Sequence, residues 1–234
     1  MSLTTGKLKV CSTMNDVRLV VFDCDGTLVD GHGLLMDALN LAYQGADVEA
    51  PDTLQVRQKI GLPLQTIIAD LTPALSLDQC AHIAEKCIGH LHQLRDEDSY
   101  AEPLYPKVKE TIAALDQLGF VLGIATGKGI RGLNHVLKAH GMAQYFTTLQ
   151  TPHNSPGKPH PGMLENAMDA TGARPENTVM IGDTTFDMEM AINAGITAIG
   201  VDWGYHEVGE LHAAGAHKVI GSMTDLHQIL EGTG

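Results

Sequence analysis

Five short apolar runs, each ending in a polar or glycine-bearing cluster, constrain this chain more than any other feature. Arg18 to Phe22 ends at Asp23, Phe120 to Ala125 at Thr126-Gly127, and Thr147 to Gln150 at a proline-rich loop. Thr178 to Ile181 ends at Gly182-Asp183 and Thr197 to Val201 at Asp202. Runs this short, rich in β-branched residues and free of internal polar alternation, suit strands buried on both faces. Between them lie segments with apolar residues three and four apart, the helical period: Val108 to Leu118, Ile130 to His140, Pro161 to Ala170, Phe186 to Ala194 and Val208 to Ala214. Strand alternating with helix predicts an α/β fold, a parallel sheet flanked by helices with right-handed crossovers. In such sheets ligands bind beyond the carboxyl ends of the strands, where each polar cluster falls.

One stretch breaks the alternation. From Gly31 to Pro103 the pattern is helical throughout, as in Leu34-Leu35-Met36, Ile67-Ile68 and the series Cys80, Ile83, Ala84, Cys87 and Leu91. It predicts an all-α insert over residues 31–103, with residues 1–30 and 104–234 forming the sheet-bearing core. Pro103 and Pro106 mark the return, because proline stiffens the chain and disfavours helix in the residue before it.

Composition narrows the partners. The 234 residues are 44% hydrophobic, enough to fill a core, and the formal charge of −13 opposes binding to nucleic acid or to an anionic membrane. Cys11, Cys24, Cys80 and Cys87 form no CxxC pair and no disulfide framework, which favours a reducing, cytoplasmic setting. Cys80 and Cys87, two helical turns apart, are expected to fill the core of the insert. Met1 to Asp16 has no apolar signal-like segment, and no run reaches bilayer-spanning length. Oligomeric state is not readable from the sequence.

Asp23 and Asp25, in Asp23-Cys24-Asp25-Gly26-Thr27, can both face one crevice if the loop turns sharply at Gly26. One carboxylate can then attack phosphorus while the other protonates the leaving oxygen and activates water. A plain calcium loop of the EF-hand type would need Asp or Asn at 27 and Gly at 28, where Thr27 and Leu28 stand. Phosphoryl transfer needs charge compensation, and the other strand ends offer it. Asp183 and Asp187 are four apart and share a face if a helix begins there; with Asp23 they form an oxygen-rich pocket of the kind Mg²⁺ prefers. An N-cap role is the bland reading of Asp183. Thr126 can present its hydroxyl and backbone N–H to phosphate oxygens beside Gly127. Gly127-Lys128 is not a P-loop, since Gly123 is one residue too close and position 129 lacks Ser or Thr. Lys158 sits in a proline-stiffened loop able to place an ammonium.

Together these residues resemble the haloacid dehalogenase superfamily, and within it the phosphoglycolate phosphatase-like group with a helical cap. Its four signatures occur in order: Phe22-Asp23-Cys24-Asp25-Gly26-Thr27-Leu28-Val29-Asp30, Thr126, Lys158-Pro159-His160-Pro161, and Gly182-Asp183-Thr184-Thr185-Phe186-Asp187. The resemblance implies a Rossmann-like core with an inserted all-α cap. It also implies Mg²⁺-dependent hydrolysis of a small phosphorylated metabolite, phosphoglycolate-like or a sugar phosphate, through an aspartyl phosphate. Asp23 would be the nucleophile and Asp25 the general acid/base, with Thr126, Gly127 and Lys158 at the phosphate. Asp23, the Asp25 carbonyl and Asp183 would hold the metal, with Asp187 ligating or orienting its neighbours. Asp25 favours phosphate esters, because dehalogenase members lack this second carboxylate and phosphonate-cleaving members carry alanine there.

A phosphosugar mutase of the β-phosphoglucomutase type is the nearest alternative, but its fourth signature usually starts with an acidic pair and here Gly182 precedes Asp183. A receiver-type phosphorylation switch also groups aspartates, a threonine and a lysine, but has no place for a helical insert. His32, Arg57, Lys59 and Gln65 are the candidate substrate contacts of the insert. Trp203 and His206 follow a core strand and can line the crevice or pack.

Overall fold

The computed structural model describes residues 17–96, 102–153 and 155–231. Cys11 and the Met1 to Asp16 segment lie outside the described residues, as do residues 97–101 of the insert. Six strands form one parallel sheet: β1 Leu19–Phe22, β2 Val121–Ala125, β3 Phe146–Gln150, β4 Thr178–Gly182, β5 Thr197–Val201 and β6 Lys218–Ile220, in the order β3-β2-β1-β4-β5-β6. All five pairings are parallel.

The sequence of β1 explains its central place. Val20 and Phe22 point to one face and Leu19 and Val21 to the other, as the two-residue period of a strand requires. On the first face they meet α5 Val108–Gln117, α6 Ile130–Ala139 and α10 Asp225–Glu231, through Ile112, Leu133 and Leu226. On the second they meet α7 Gly162–Thr171, α8 Thr185–Asn193 and α9 Val208–Ala213, through Leu164, Met188 and Leu211. A sheet with no polar face needs both covers, and the alternating helices supply them.

Among the described residues four helices stand between β1 and α5: α1 His32–Gly45, α2 Thr53–Arg57, α3 Leu64–Leu71 and α4 Leu77–Asp96. They bury a cluster of their own that includes Leu39, Tyr43, Val56, Ile68, Ile83 and both Cys80 and Cys87. The chain leaves and re-enters the sheet layer along two paired segments: Asp30 N–H donates to Pro103 O at 2.9 Å and Tyr105 N–H to Leu28 O at 3.0 Å.

Strand β6 and helix α10 have no counterpart among the sequence expectations. The strand has three residues, lies at the sheet edge and buries only Ile220 fully, so its apolar signal is too short to stand out.

Candidate active site

The strand order places β1 and β4 side by side where the chain reverses its direction of travel across the sheet, and a crevice opens at their carboxyl ends. Asp23 follows β1 and donates its N–H to Ile181 O at 2.9 Å, which holds it on the sheet. Gly26 makes the turn beyond it at φ 86°, and a side chain there would strike the Asp183 carboxylate.

Asp23, Asp183 and Asp187 are fully buried, and one carboxylate oxygen from each lies within 4.8 Å of the others. The Lys158 ammonium, also buried, stands 2.7 Å from Asp23 Oδ1 and 2.6 Å from Asp187 Oδ1. Burial works against the Lys158 charge, but Asp187 and Asp23 overcome it and hold its pKa above the ordinary lysine value. Asp23 moves from 3.8 to about 7, chiefly through burial, with Lys158 opposing and Asp187 adding to the rise. Burial and then its two acidic neighbours push Asp183 well up.

The partners of these carboxylates differ. Asp183 accepts from Thr27 Oγ1 at 2.8 Å and from Tyr205 N–H at 2.9 Å. Asp187 Oδ2 accepts from the Thr184 N–H and hydroxyl in a capping box that starts α8, while its Oδ1 faces Lys158. Asp23 Oδ2 is buried with no hydrogen-bond donor. Three carboxylates around one ammonium leave excess negative charge in a dry place, and hard oxygen donors with one oxygen unpartnered fit a divalent cation.

Asp25 lies nearer the solvent, its side chain 18% exposed, with Lys128 Nζ 3.0 Å from its Oδ1. The same ammonium contacts Glu102, which also binds Arg95 Nε at 3.0 Å and Nη2 at 3.2 Å. Burial raises the Asp25 pKa; Lys128 opposes this and Glu102 adds to it. For Glu102 burial is outweighed by Lys128 and Arg95, and its carboxyl is held low. In sequence Lys128 reads only as a failed P-loop lysine, and Glu102 and Arg95 carry no motif. The available signal was a lysine two residues past Thr126, at the same sheet edge as the aspartates.

Thr126 is buried at the end of β2, its hydroxyl oxygen accepting from Lys128 N–H at 3.2 Å. Its own N–H donates to Gln150 O at 3.1 Å, so the expected backbone donor to phosphate is spent on the sheet and the hydroxyl hydrogen remains. Gly127 lies under the helical unit: a Cβ there would come within 2.5 Å of Gly61 O, leaving no room for a side chain.

Asp23, Asp25, Thr126, Gly127 and Lys128 line a cavity of about 590 Å³ roofed by α1, α3 and α4. Lys158, Asp183 and Asp187 are not on its lining and sit behind Asp23. Of the four insert candidates, Gln65 reaches this cavity. Arg57 instead donates to Gly204 O at 2.9 Å and lies over the Tyr205 ring, and Lys59 pairs with Asp70 at 2.9 Å. His32 packs beside Tyr205 with Nε2 buried and unpartnered. Trp203 donates to Thr27 O at 3.3 Å and packs on Tyr105, while His206 accepts from Thr185 N–H and contacts Gln58 O at 3.0 Å.

A sequence model of the haloacid dehalogenase-like hydrolases matches residues 20–201. "Probable phosphatase IndB" of Dickeya dadantii is 32% identical over 89% of this chain and 91% of its own. A phosphoglycolate phosphatase of Vibrio parahaemolyticus is 30% identical over 93% of this chain and 98% of its own. The crystal structure of a hydrolase from Pseudomonas syringae superposes with a TM-score of 0.80 at 26% identity, covering 92% of this chain and 98% of that one.

Proposed function

The chain belongs to the haloacid dehalogenase-like hydrolase family, and we propose that it is a Mg²⁺-dependent phosphatase that passes the phosphoryl group of a small-molecule monoester through Asp23. The observation that carries this reading is the Asp23 carboxylate: buried on Lys158, within 4.8 Å of Asp183 and Asp187, one oxygen free of donors, and on the floor of a cavity. Relatives named phosphatase over nine-tenths of the chain support the same class.

In this reading Asp23 attacks phosphorus, the bond to the leaving oxygen breaks, and Asp25 gives that oxygen a proton. Burial keeps Asp25 ready to hold the proton, and Lys128 keeps it ready to release it. Asp25 then takes a proton from water as the water attacks the aspartyl phosphate, returning Asp23 and free phosphate. The Thr126 hydroxyl and the Gly127 backbone face the transferred group, and Lys158 balances its charge. Asp23, the Asp25 carbonyl and Asp183 would hold Mg²⁺, which when bound neutralises charge on the phosphoryl oxygens. Asp187, engaged at both oxygens, orients Lys158 and its neighbours. Residues 31–103 act as a cap that excludes water from the site.

A mutase is not favoured, since Gly182 stands where an acidic pair is usual and the relatives above are phosphatases. Among the described residues no helix is long and apolar enough to cross a membrane, and the buried thiols of Cys24, Cys80 and Cys87 suit a reducing cytoplasm. The test is turnover of an aryl phosphate with Mg²⁺. Wild type should be active and silenced by EDTA, and Asp23→Asn should be inactive; near-wild-type activity of Asp23→Asn ends this mechanism.

A further inference from the structure

We infer that the preferred substrate carries a bulky, mainly apolar leaving group, larger than that of 2-phosphoglycolate; this rests on the phosphatase reading above. The cavity that starts at Asp23 and Asp25 holds about 590 Å³, within the range of sites that enclose drug-sized molecules. At roughly 30 Å³ per water it has space for about twenty waters, far more than a phosphate and a two-carbon acid displace.

Its walls decide the chemistry. Leu35, Leu64, Ile67, Ile88 and Leu91 face it from the helical unit and Ile130 from α6. Ile88 is 44% and Ile130 38% exposed, although they stand on two separate layers of the protein that meet around this space. Neither is packed fully into the core of its own layer, and an apolar group between them removes both from water.

The charges near the floor point the same way. A small acid would need a cation for its carboxylate beside the phosphate position. Lys128 is already taken by Asp25 and Glu102, and Arg95 by Glu102. Arg131 is exposed on the lining, which also holds His92 and His153, and Glu85 adds a negative charge to the same cavity. The floor next to Asp25 is therefore nearly neutral, a poor seat for a second anion and a tolerable one for an uncharged ring or branched chain.

The test compares primary alkyl esters, whose intrinsic reactivity is similar, using the full chain with Mg²⁺: 2-(naphthyl)ethyl phosphate against ethyl phosphate and 2-phosphoglycolate. Hydrophobic pockets discriminate by roughly tenfold or more per methylene, so kcat/KM for the naphthyl ester should exceed both others by at least about a hundredfold. Ile88→Asp, at a position 44% exposed, should cut the naphthyl-to-ethyl ratio at least about tenfold. An equal or higher kcat/KM for 2-phosphoglycolate, or an unchanged ratio in Ile88→Asp, overturns the inference while leaving the phosphatase standing. No cleavage of any ester, aryl phosphates included, overturns both.

Discussion

At the scale of single residues the site is a set of buried charges that balance only in groups. Asp23 shows this most directly, because its rise from 3.8 to about 7 is a statement about stability. Between those two values the folded protein binds a proton that the unfolded chain has released, so without metal stability falls as pH rises through that window and levels off above it. A divalent cation replaces the proton. The increase in Tm on adding Mg²⁺ should therefore be larger at pH 8 than at pH 5, and equal shifts at both would show that Asp23 is not where the ion acts. Lys128 gives a second case. Lys128→Met leaves a buried Glu102 and a half-buried Asp25 with Arg95 as their remaining cation, and breaking a buried pair such as Lys128–Glu102 costs about 3 kcal/mol or more. Urea unfolding should show that loss, and adding Glu102→Gln should recover part of it; a double variant no more stable than Lys128→Met would mean the two side chains are not coupled.

At the scale of elements, strand ends position the chemistry and helix starts lock it. Thr184 is the N-cap of α8, and its hydroxyl and N–H both bind Asp187, whose other oxygen faces Lys158. Thr184→Ala should cost about 1 kcal/mol of stability and also lower kcat, because Asp187 is then free to turn away from Lys158. Thr184→Ser should restore both, and a Thr184→Ala protein with full kcat would show that Asp187 keeps its place unaided. These dependences were legible in part. The five runs leading to Asp23, Thr126, the proline-rich loop after Gln150, Asp183 and Asp202 read as strands because they are short, apolar and rich in β-branched residues, and four signatures lie at or beyond such ends. The chain Asp25, Lys128, Glu102 and Arg95 was not legible, since it joins four segments whose contact depends on how the helices settle on the sheet. Arg57 and Lys59 stand off the cavity lining for the matching reason: a cation near a cleft in sequence is spent on whichever acceptor folding brings closer, here Gly204 O and Asp70.

At the scale of the whole molecule, the polar contacts between the helical unit and the core include, among the described residues, the Lys128–Glu102 pair and those made by Arg57 and His206. Arg57 donates to Gly204 O at 2.9 Å, His206 contacts Gln58 O at 3.0 Å, and Gly61 rests over Gly127. The segments 28–30 and 103–105 pair with each other, so the connection is a two-stranded strap. If residues 31–103 open to admit substrate, the Arg57 contact is among those that must break. A charge-assisted hydrogen bond contributes roughly 1.5–3 kcal/mol, and the exposure of Arg57 reduces that to about 1 kcal/mol. Removing it with Arg57→Ala should shift the balance toward the open form about fivefold, since 1.4 kcal/mol is a factor of ten. Global unfolding free energy should change little, as Arg57 belongs to none of the three buried apolar clusters. Amide exchange at residues 61–62 over Gly127 should quicken by the same factor while exchange in β1 and β4 stays at its wild-type rate. If exchange instead quickens across β1 as well, Arg57 supports the whole fold and the strap is no hinge.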